Sequence, residues 1–132
     1  MPNGFQGSDA EWRRMEAPLL QADPILQKFA TAHGLSLTRN YHNEPERSLT
    51  WDTSIQRLIQ LYMESSDRLT FNLWLCASED RGSSRFWRRE FLVKDRRLED
   101  FPKGLPTLLE EAYSTVNSWT ADQLEFATNV SN

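Results

Sequence analysis

Only one cysteine, Cys76, occurs in the chain, and no apolar stretch is long enough to cross a membrane. A single thiol excludes a disulfide framework and a structural zinc site built from several cysteines. The longest uncharged apolar stretch, around 71–76, falls far short of the roughly 18 residues that a membrane-spanning helix needs. The first residues provide neither the basic nor the apolar region of a secretory signal. We therefore expect a soluble, cytoplasmic protein without a membrane partner.

Sequence motifs of common enzyme classes are also missing. The chain contains no glycine-rich phosphate loop, no dinucleotide-binding glycine pattern, no HExxH zinc motif and no GxSxG nucleophile elbow. His33 precedes Gly34 at a predicted helix end, where a cationic side chain suits the helix dipole. The sequence therefore predicts no catalytic residue, metal site or cofactor, and favours a binding protein over an enzyme.

The apolar content is sufficient for a folded core. Leucine, isoleucine, valine and phenylalanine make up 30 of the 132 residues, above the roughly 20% below which chains tend to stay disordered. A chain of this length forms one core and is short for two. We expect a single domain over residues 1–132, with a flexible lead at 1–7 and a frayed tail at 129–132.

The N-terminal part of the chain carries helix signals interrupted by two prolines. Ser8 has the spacing of a capping box and predicts the start of a helix, which Pro18 should kink or end. Asp23 followed by Pro24 predicts the start of a second helix, which should end at Gly34. Two helical pieces are therefore expected before the first strand.

The C-terminal part predicts the most regular helix of the chain. Pro106 marks its first turn, and its apolar residues recur at intervals of three and four. These residues are Leu105, Leu108, Leu109, Ala112, Tyr113, Val116 and Trp119. A short last helical piece is expected from Thr120, where Gln123 completes another capping-box pattern.

Between these helices, from Leu35 onward, the apolar pattern has a period of two, which is typical of strands. Short strands joined by hairpin-length turns must pair antiparallel, because parallel pairing needs a longer crossover. The last strand is expected over 85–94, followed by an irregular charged connection over 94–104. The sequence predicts a two-layer α+β fold: an antiparallel sheet of four to five strands flanked by N-terminal and C-terminal helices. The helices should cover the sheet face that carries Ile59, Leu61, Leu69, Phe71, Leu73 and Leu75.

The other face of the predicted sheet is too aromatic for a surface that meets only water. Its expected members are Leu58, Tyr62, Thr70, Asn72, Trp74, Cys76, Trp87, Arg89, Phe91 and Val93. Three explanations stay open. The N-terminal helix or the polar hairpin at 78–84 covers this face, a second copy packs on it in a homodimer, or it binds a different partner or a ligand.

Charge is unevenly distributed along the chain. Residues 80–97 hold seven arginines and lysines against three acids, a local charge of +4 in a chain whose total is −4. The remainder must therefore carry −8. A basic strand with interspersed aromatic residues is typical of a single-stranded nucleic-acid site or of an edge strand protected by charge. It is also typical of a surface for an acidic protein, or of self-association that matches the basic segment to the acidic remainder of the chain.

These patterns together favour a small stand-alone protein that binds a protein partner. It would act as an adaptor, a chaperone-like or a neutralising protein, and it would form a homodimer. The predicted partner-binding residues are Trp74, Trp87, Arg89 and Phe91 on the aromatic face, with Arg81, Arg85 and Arg88 in the basic hairpin. Tryptophan and arginine are enriched among the residues that contribute most to interface affinity.

Two other functions are compatible with the same sequence. A small-molecule binder or an enzyme would have a pocket between the sheet and the helices, with Cys76, His42, Glu79 or Asp80 at its mouth. Single-stranded nucleic-acid binding through the basic hairpin is the second alternative. Such binding must weaken steeply as the salt concentration rises, because it depends on phosphate contacts.

Overall fold

Within the residues that the structure describes, the chain forms one antiparallel sheet and two α-helices, so the predicted α+β class is confirmed. The computed structural model describes residues 9–39, 46–63, 70–97 and 103–129, with side chains from residue 17 onward except those of Arg39 and Met63. The helices are α1 (Asp9–His33) and α2 (Leu105–Ser118). The strands, which lie side by side in chain order, are β1 (Ser36–Arg39), β2 (Glu46–Asp52), β3 (Gln56–Met63), β4 (Thr70–Arg81), β5 (Ser84–Arg97) and β6 (Glu125–Asn129).

The core lies between one face of the sheet and the two helices. Every second side chain of β2, β3 and β4 points to this face, as the period of two requires. The sheet residues buried here include Leu49, Ile59, Leu61, Phe71, Leu73 and Leu75. The helix residues in the same cluster include Leu19, Leu26, Phe29, Leu109, Ala112 and Val116. Leu69, which was predicted in this core, lies outside the described residues.

The sheet has six strands rather than the predicted four to five, because the chain forms a further strand near its C-terminal end. β6 pairs antiparallel with the first residues of β5, with Asn129 opposite Ser84. Phe126 meets Phe86 edge-on, with 5.8 Å between the ring centroids. This contact gives the mostly polar β6 a reason to pair, and Asn129 therefore belongs to a strand and not to a frayed tail.

The helical piece expected from Thr120 is a single 3₁₀ turn over Ala121–Gln123. The Thr120 amide donates to Gln123 Oε1 at 3.0 Å, which is one half of the predicted capping box. The helix goes no further, because the next residues enter β6.

The N-terminal segment forms one continuous helix, α1, where two were predicted. Pro18 and Pro24 both lie inside it. A proline removes one backbone hydrogen bond. The carbonyl that Pro24 leaves without a donor belongs to Leu20, which is 59% exposed, so water can bind it. Gly34 follows the end of α1 with a φ of +70°, as its predicted role requires. Neither described helix combines the length and the apolar character that crossing a membrane demands.

Asp23, which was predicted to cap a second helix, instead forms a buried ion pair that joins α1 to β2. Its Oδ1 atom lies 2.7 Å from Arg47 Nε, and Arg47 Nη1 donates to the Glu46 carbonyl at 3.0 Å. Asp23 and Arg47 are only 7% and 6% exposed. Charges buried this deeply are tolerated only when they meet each other, so the pair fixes how α1 lies on the sheet.

A second buried arginine, Arg57 of β3, joins the sheet to the end of α2. Its guanidinium donates to the carbonyl oxygens of Val116 and Trp119, the latter at 3.0 Å, and to the Thr53 hydroxyl at 3.0 Å. Burial lowers the pKa of Arg57 from its ordinary value, yet an arginine stays protonated in proteins. Because the last carbonyls of a helix have no partner within it, Arg57 serves as the C-terminal cap of α2.

An irregularity between β4 and β5 makes one predicted position wrong. Trp74 lies opposite Phe91, but the neighbouring Leu73 lies opposite Val93, so Leu92 is the extra residue of a β-bulge. The bulge inverts the alternation, and Val93 turns to the core, where it is 5% exposed, instead of joining the aromatic face. Beyond the bulge, β5 continues into the segment that was expected to be irregular.

We expect Asp23→Ala to lower the free energy of unfolding by about 3–5 kcal/mol, because it leaves the Arg47 guanidinium buried without its counter-charge. Urea denaturation followed by circular dichroism measures the change. Glu90→Ala is the matched control: it breaks the exposed pair with Arg88 and should cost less than about 1 kcal/mol. Equal losses in the two variants would mean that the buried pair contributes no more than a surface contact.

Candidate functional site

The sheet face opposite the core, called the open face below, carries a groove of about 650 Å³. Its floor is formed by residues of β3 and β4: Gln56, Leu58, Gln60, Trp74, Cys76 and Ser78. Thr50 and Asp52 of β2 form one wall, and Arg85, Trp87 and Arg89 of β5 form the other. Its volume lies within the roughly 300–1,000 Å³ that is usual for ligand sites.

The register of the hairpins explains why these side chains share one face. Residues paired across antiparallel strands point to the same side of a sheet. Two rows of paired residues run from β2 to β5: Thr50, Leu58, Cys76 and Arg89 form the first, and Asp52, Gln56, Ser78 and Trp87 form the second. The predicted neighbours Trp74, Trp87, Arg89 and Phe91 are therefore brought together, as the sequence indicated.

The wall on β5 is built from aromatic rings and cations that contact one another. The rings of Trp74 and Phe91 are 3.6 Å apart between centroids. The Arg89 guanidinium carbon lies 3.8 Å from the ring centroid of Trp87 and 5.7 Å from that of Trp74. Lys94 Nζ lies 5.1 Å from the Phe91 centroid. Cation–π contacts of this kind hold the Arg89 head group in place without neutralising its charge.

Among the residues that line the groove, Arg89 on one wall and Asp52 on the other carry charges without an ion-pair partner. Among the described residues, no carboxylate lies within ion-pair distance of Arg89, and no cation lies within that distance of Asp52. Arg85, in contrast, pairs with Asp80 at 2.9 Å. The hydrogen bond from Arg85 lowers the pKa of Asp80, and the same bond raises the pKa of Arg85. The pair thus stays ionised and neutral overall, which leaves Arg89 and Asp52 as the charges open to a ligand.

Two of the predicted binding arginines lie away from the groove. Arg81 Nε lies 2.6 Å from Glu79 Oε1, and Arg81 Nη2 donates to the Ala121 carbonyl at 2.6 Å. The Arg88 guanidinium lies over the Trp119 ring, 4.6 Å from its centroid. The alternation of β5 places Arg88 on the side opposite Arg89. The structure therefore divides the predicted set between two faces.

Cys76 lies on the floor of the groove and is half-buried. Burial raises the pKa of its thiol, and the nearby charges of Arg89 and Arg85 offset part of that rise. Glu79 and Asp80 are adjacent residues of β4, so they point to opposite faces. The pocket mouth predicted from Cys76, His42, Glu79 and Asp80 is not assembled by the described residues, and His42 itself lies outside them.

His33 takes part in an aromatic cluster on the helix side of the molecule. Its ring lies 4.3 Å from that of Phe29 and 4.4 Å from that of Tyr113, measured between centroids. His33 Nε2 is also 3.5 Å from Glu110 Oε1. Across the described part of the chain, no three histidine, cysteine or acidic side chains gather in a group that could hold a metal ion.

The sequence reasoning missed the wall on β2 and the glutamines of β3 on the groove floor. Asp52, Thr50, Gln56 and Gln60 were not singled out, although each lines the groove. The available signal was the hairpin between β2 and β3, because pairing Thr50 with Leu58 forces Asp52 and Gln56 onto the aromatic face. That register depends on a short bend at 53–55, which composition alone did not locate.

Comparison with known proteins adds no relative. No protein-family model matches the chain, and neither the curated protein sequences nor the solved structures include a significant match to it.

The raised pKa of Cys76 predicts a slow thiol at neutral pH. Alkylation by iodoacetamide requires the thiolate, so its rate should keep rising beyond the pH at which a free cysteine is fully ionised. Arg89→Gln removes a charge that lowers the pKa and should move the pH midpoint of the reaction further upward. The midpoint is compared because, unlike the rate, it does not depend on reagent access. A midpoint at or below that of a free thiol would contradict the assigned environment.

Proposed function

We propose that this protein acts by binding another protein chain on its open face. The observation that carries the proposal is the aromatic cluster at the β5 wall, in which Trp74 of the floor and Trp87 flank the unpaired charge of Arg89 and Phe91 packs against Trp74. Aromatic and arginine anchors that already contact each other lose little conformational freedom when they bind. Phe91 is 36% exposed although it is a large apolar side chain, which is typical of an interaction surface. Adaptor, chaperone-like and neutralising roles all use such a surface.

Charge pairing favours a protein over single-stranded nucleic acid. Three of the arginines in the basic segment, Arg81, Arg85 and Arg88, have carboxylate partners within 3.1 Å. A strand that follows a phosphate backbone needs a continuous row of available cations. These pairs do not change the local charge of +4, in which Asp80 and Glu90 are already counted. They do leave Arg89 as the unpaired cation of the groove wall, and a single cation cannot form such a row.

The groove volume supports a small molecule as a second candidate ligand. A space of about 650 Å³ with Gln56, Gln60 and Ser78 on its floor offers both stacking and hydrogen-bonding groups. This site differs from the pocket between sheet and helices that the sequence suggested. A low-molecular-weight fraction of the cell extract that protects Cys76 saturably from a thiol reagent would favour this candidate.

Photo-crosslinking in the native cell tests the proposal. We expect p-benzoylphenylalanine placed at Phe91 to form a covalent adduct with a protein, because this position lies on the β5 wall. The same residue at Phe126 is the matched control, since that side chain is 58% exposed and packs beside Phe86 on the other side of the sheet. Adducts are identified by mass spectrometry after gel separation.

The double substitution W87A/R89A should reduce the adduct at position 91 by at least about tenfold, because interface anchors of these types contribute most of the binding energy. Far-UV circular dichroism of this variant must stay unchanged. Equal adducts from positions 91 and 126, or no protein adduct from either, would overturn the proposal. An adduct with nucleic acid would favour single-stranded nucleic-acid binding over protein binding.

A further inference from the structure

The two unpaired charges of the groove cannot meet within one chain. Asp52 lies on β2 and Arg89 on β5, with β3 and β4 between them. Three strand spacings amount to about 14 Å, and no contact joins the two side chains. The open face therefore has an acidic wall on one side and a basic wall on the other.

A two-fold rotation can bring these opposite walls together. Consider two copies whose open faces are turned toward each other, with a two-fold axis between them. The axis runs parallel to the strands, midway between β3 and β4. This rotation places β5 of one copy over β2 of the other. Asp52 belongs to the same row as Trp87, which is two residues from Arg89 along β5. Asp52 of one copy would therefore lie over Trp87 of the other copy, about 7 Å along the strand from Arg89 of that copy. An isologous interface repeats each contact, so this arrangement forms two Asp52–Arg89 pairs.

We infer that the protein chain bound on the open face is a second copy of this protein, held in this orientation. The inference rests on the proposed function and names its partner. The groove floor lies next to the axis, so Leu58, Trp74 and Cys76 would be covered in the dimer, and the aromatic wall of each copy would cover Thr50 of the other.

Charge selects this orientation over the other simple one. A two-fold axis perpendicular to the strands would place β5 on β5 and β2 on β2. Each unpaired charge would then lie over the strand that carries its own sign, and the two Arg89 side chains would face each other where the axis crosses their row. Like charges that face each other across an interface oppose association. The parallel axis avoids this repulsion and gives both unpaired charges an opposite partner, which is the complementarity that fixes register in protein interfaces.

The size of the face predicts a reversible dimer. Four strands at about 4.8 Å spacing, over about seven residues of each, cover roughly 19 by 24 Å. This area lies at the low end for specific interfaces, so the association should depend on protein concentration. It should also weaken at high salt, because the two ion pairs are screened.

Charge reversal provides the decisive test. Sedimentation equilibrium from about 5 to 200 µM, a range set by the weak affinity of small interfaces, should show a monomer–dimer equilibrium for the unmodified protein. D52R and R89D should each lower the association constant by at least about tenfold, because each places like charges across the axis. The double variant D52R/R89D restores opposite charges and should recover dimerisation to within about threefold.

Arg96→Asp is the matched control for net charge. Arg96 is exposed on the same strand, outside the groove, so its reversal should leave the association constant within about threefold of the unmodified value. Chemical denaturation of every variant checks that folding is preserved. If D52R and R89D weaken the dimer but the double variant does not recover, the inferred orientation is wrong.

Cys76 offers a second readout in the unmodified chain. It is the only cysteine and would lie beside the axis, so a short bis-maleimide should join two copies into a covalent dimer at the concentrations at which the dimer is populated. The yield is expressed relative to the labelling of Cys76 by a monofunctional maleimide, because Arg89 also lowers the pKa of this thiol. This relative yield should fall in R89D and recover in D52R/R89D. The highest protein concentration in the experiment, about 200 µM, is sufficient to populate a weak dimer. If the protein is still monomeric and is not crosslinked at this concentration, the inference is wrong.

The failure of this inference and that of the proposed function are distinguishable. A monomer whose position 91 crosslinks to a different protein overturns the second copy as partner and supports protein binding on the open face. A monomer without any protein adduct overturns both. A dimer that is insensitive to both charge reversals uses another surface and overturns the inference.

Discussion

The ion pair between Asp23 and Arg47 is the constraint on which the arrangement of the molecule depends. Burying either charge alone would cost several kcal/mol, so α1 must lie where its middle meets β2 on the side of Leu49. Arg57 makes a similar demand at the other helix, because its guanidinium caps the C-terminal end of α2 from the same side of the sheet. With both helices held on one face, the groove forms on the other.

The period of two then determines which residues the open face presents. The alternation that buries Leu73 and Leu75 in the core turns Trp74 and Cys76 outward. Large aromatic residues on an outward face expose apolar area, which is unfavourable in an isolated sheet. Their mutual contacts reduce that area only in part, since Phe91 stays 36% exposed. A partner that covers them would remove the remaining cost, which links the fold to the proposed binding.

Much of this arrangement follows from the sequence, and the exceptions have physical causes. Periodicity predicted the antiparallel sheet, α2 and the aromatic neighbours, because these features depend on local alternation. It placed Val93 wrongly, because a bulge adds one residue without any compositional signal. It divided α1 at Pro24, because the packing that outweighs a lost hydrogen bond is tertiary. It missed Asp52, because that residue joins the groove only through pairing across the β2–β3 hairpin.

The distribution of charge illustrates why a sequence sum is a poor guide to a binding surface. The segment from Asp80 to Arg97 carries +4, which suggests a strongly basic ribbon. In the folded chain, the charge is not spread evenly over this segment, because Arg81, Arg85 and Arg88 each pair with a neighbouring acid. What a partner meets in the groove is set by the charges left without a counter-ion, Arg89 and Asp52, and these have opposite signs. The groove therefore has a negative wall and a positive wall, and it is not a basic patch. The simplest surface that complements it is the same groove of a second molecule related by a two-fold axis, because each wall then meets the wall of opposite charge.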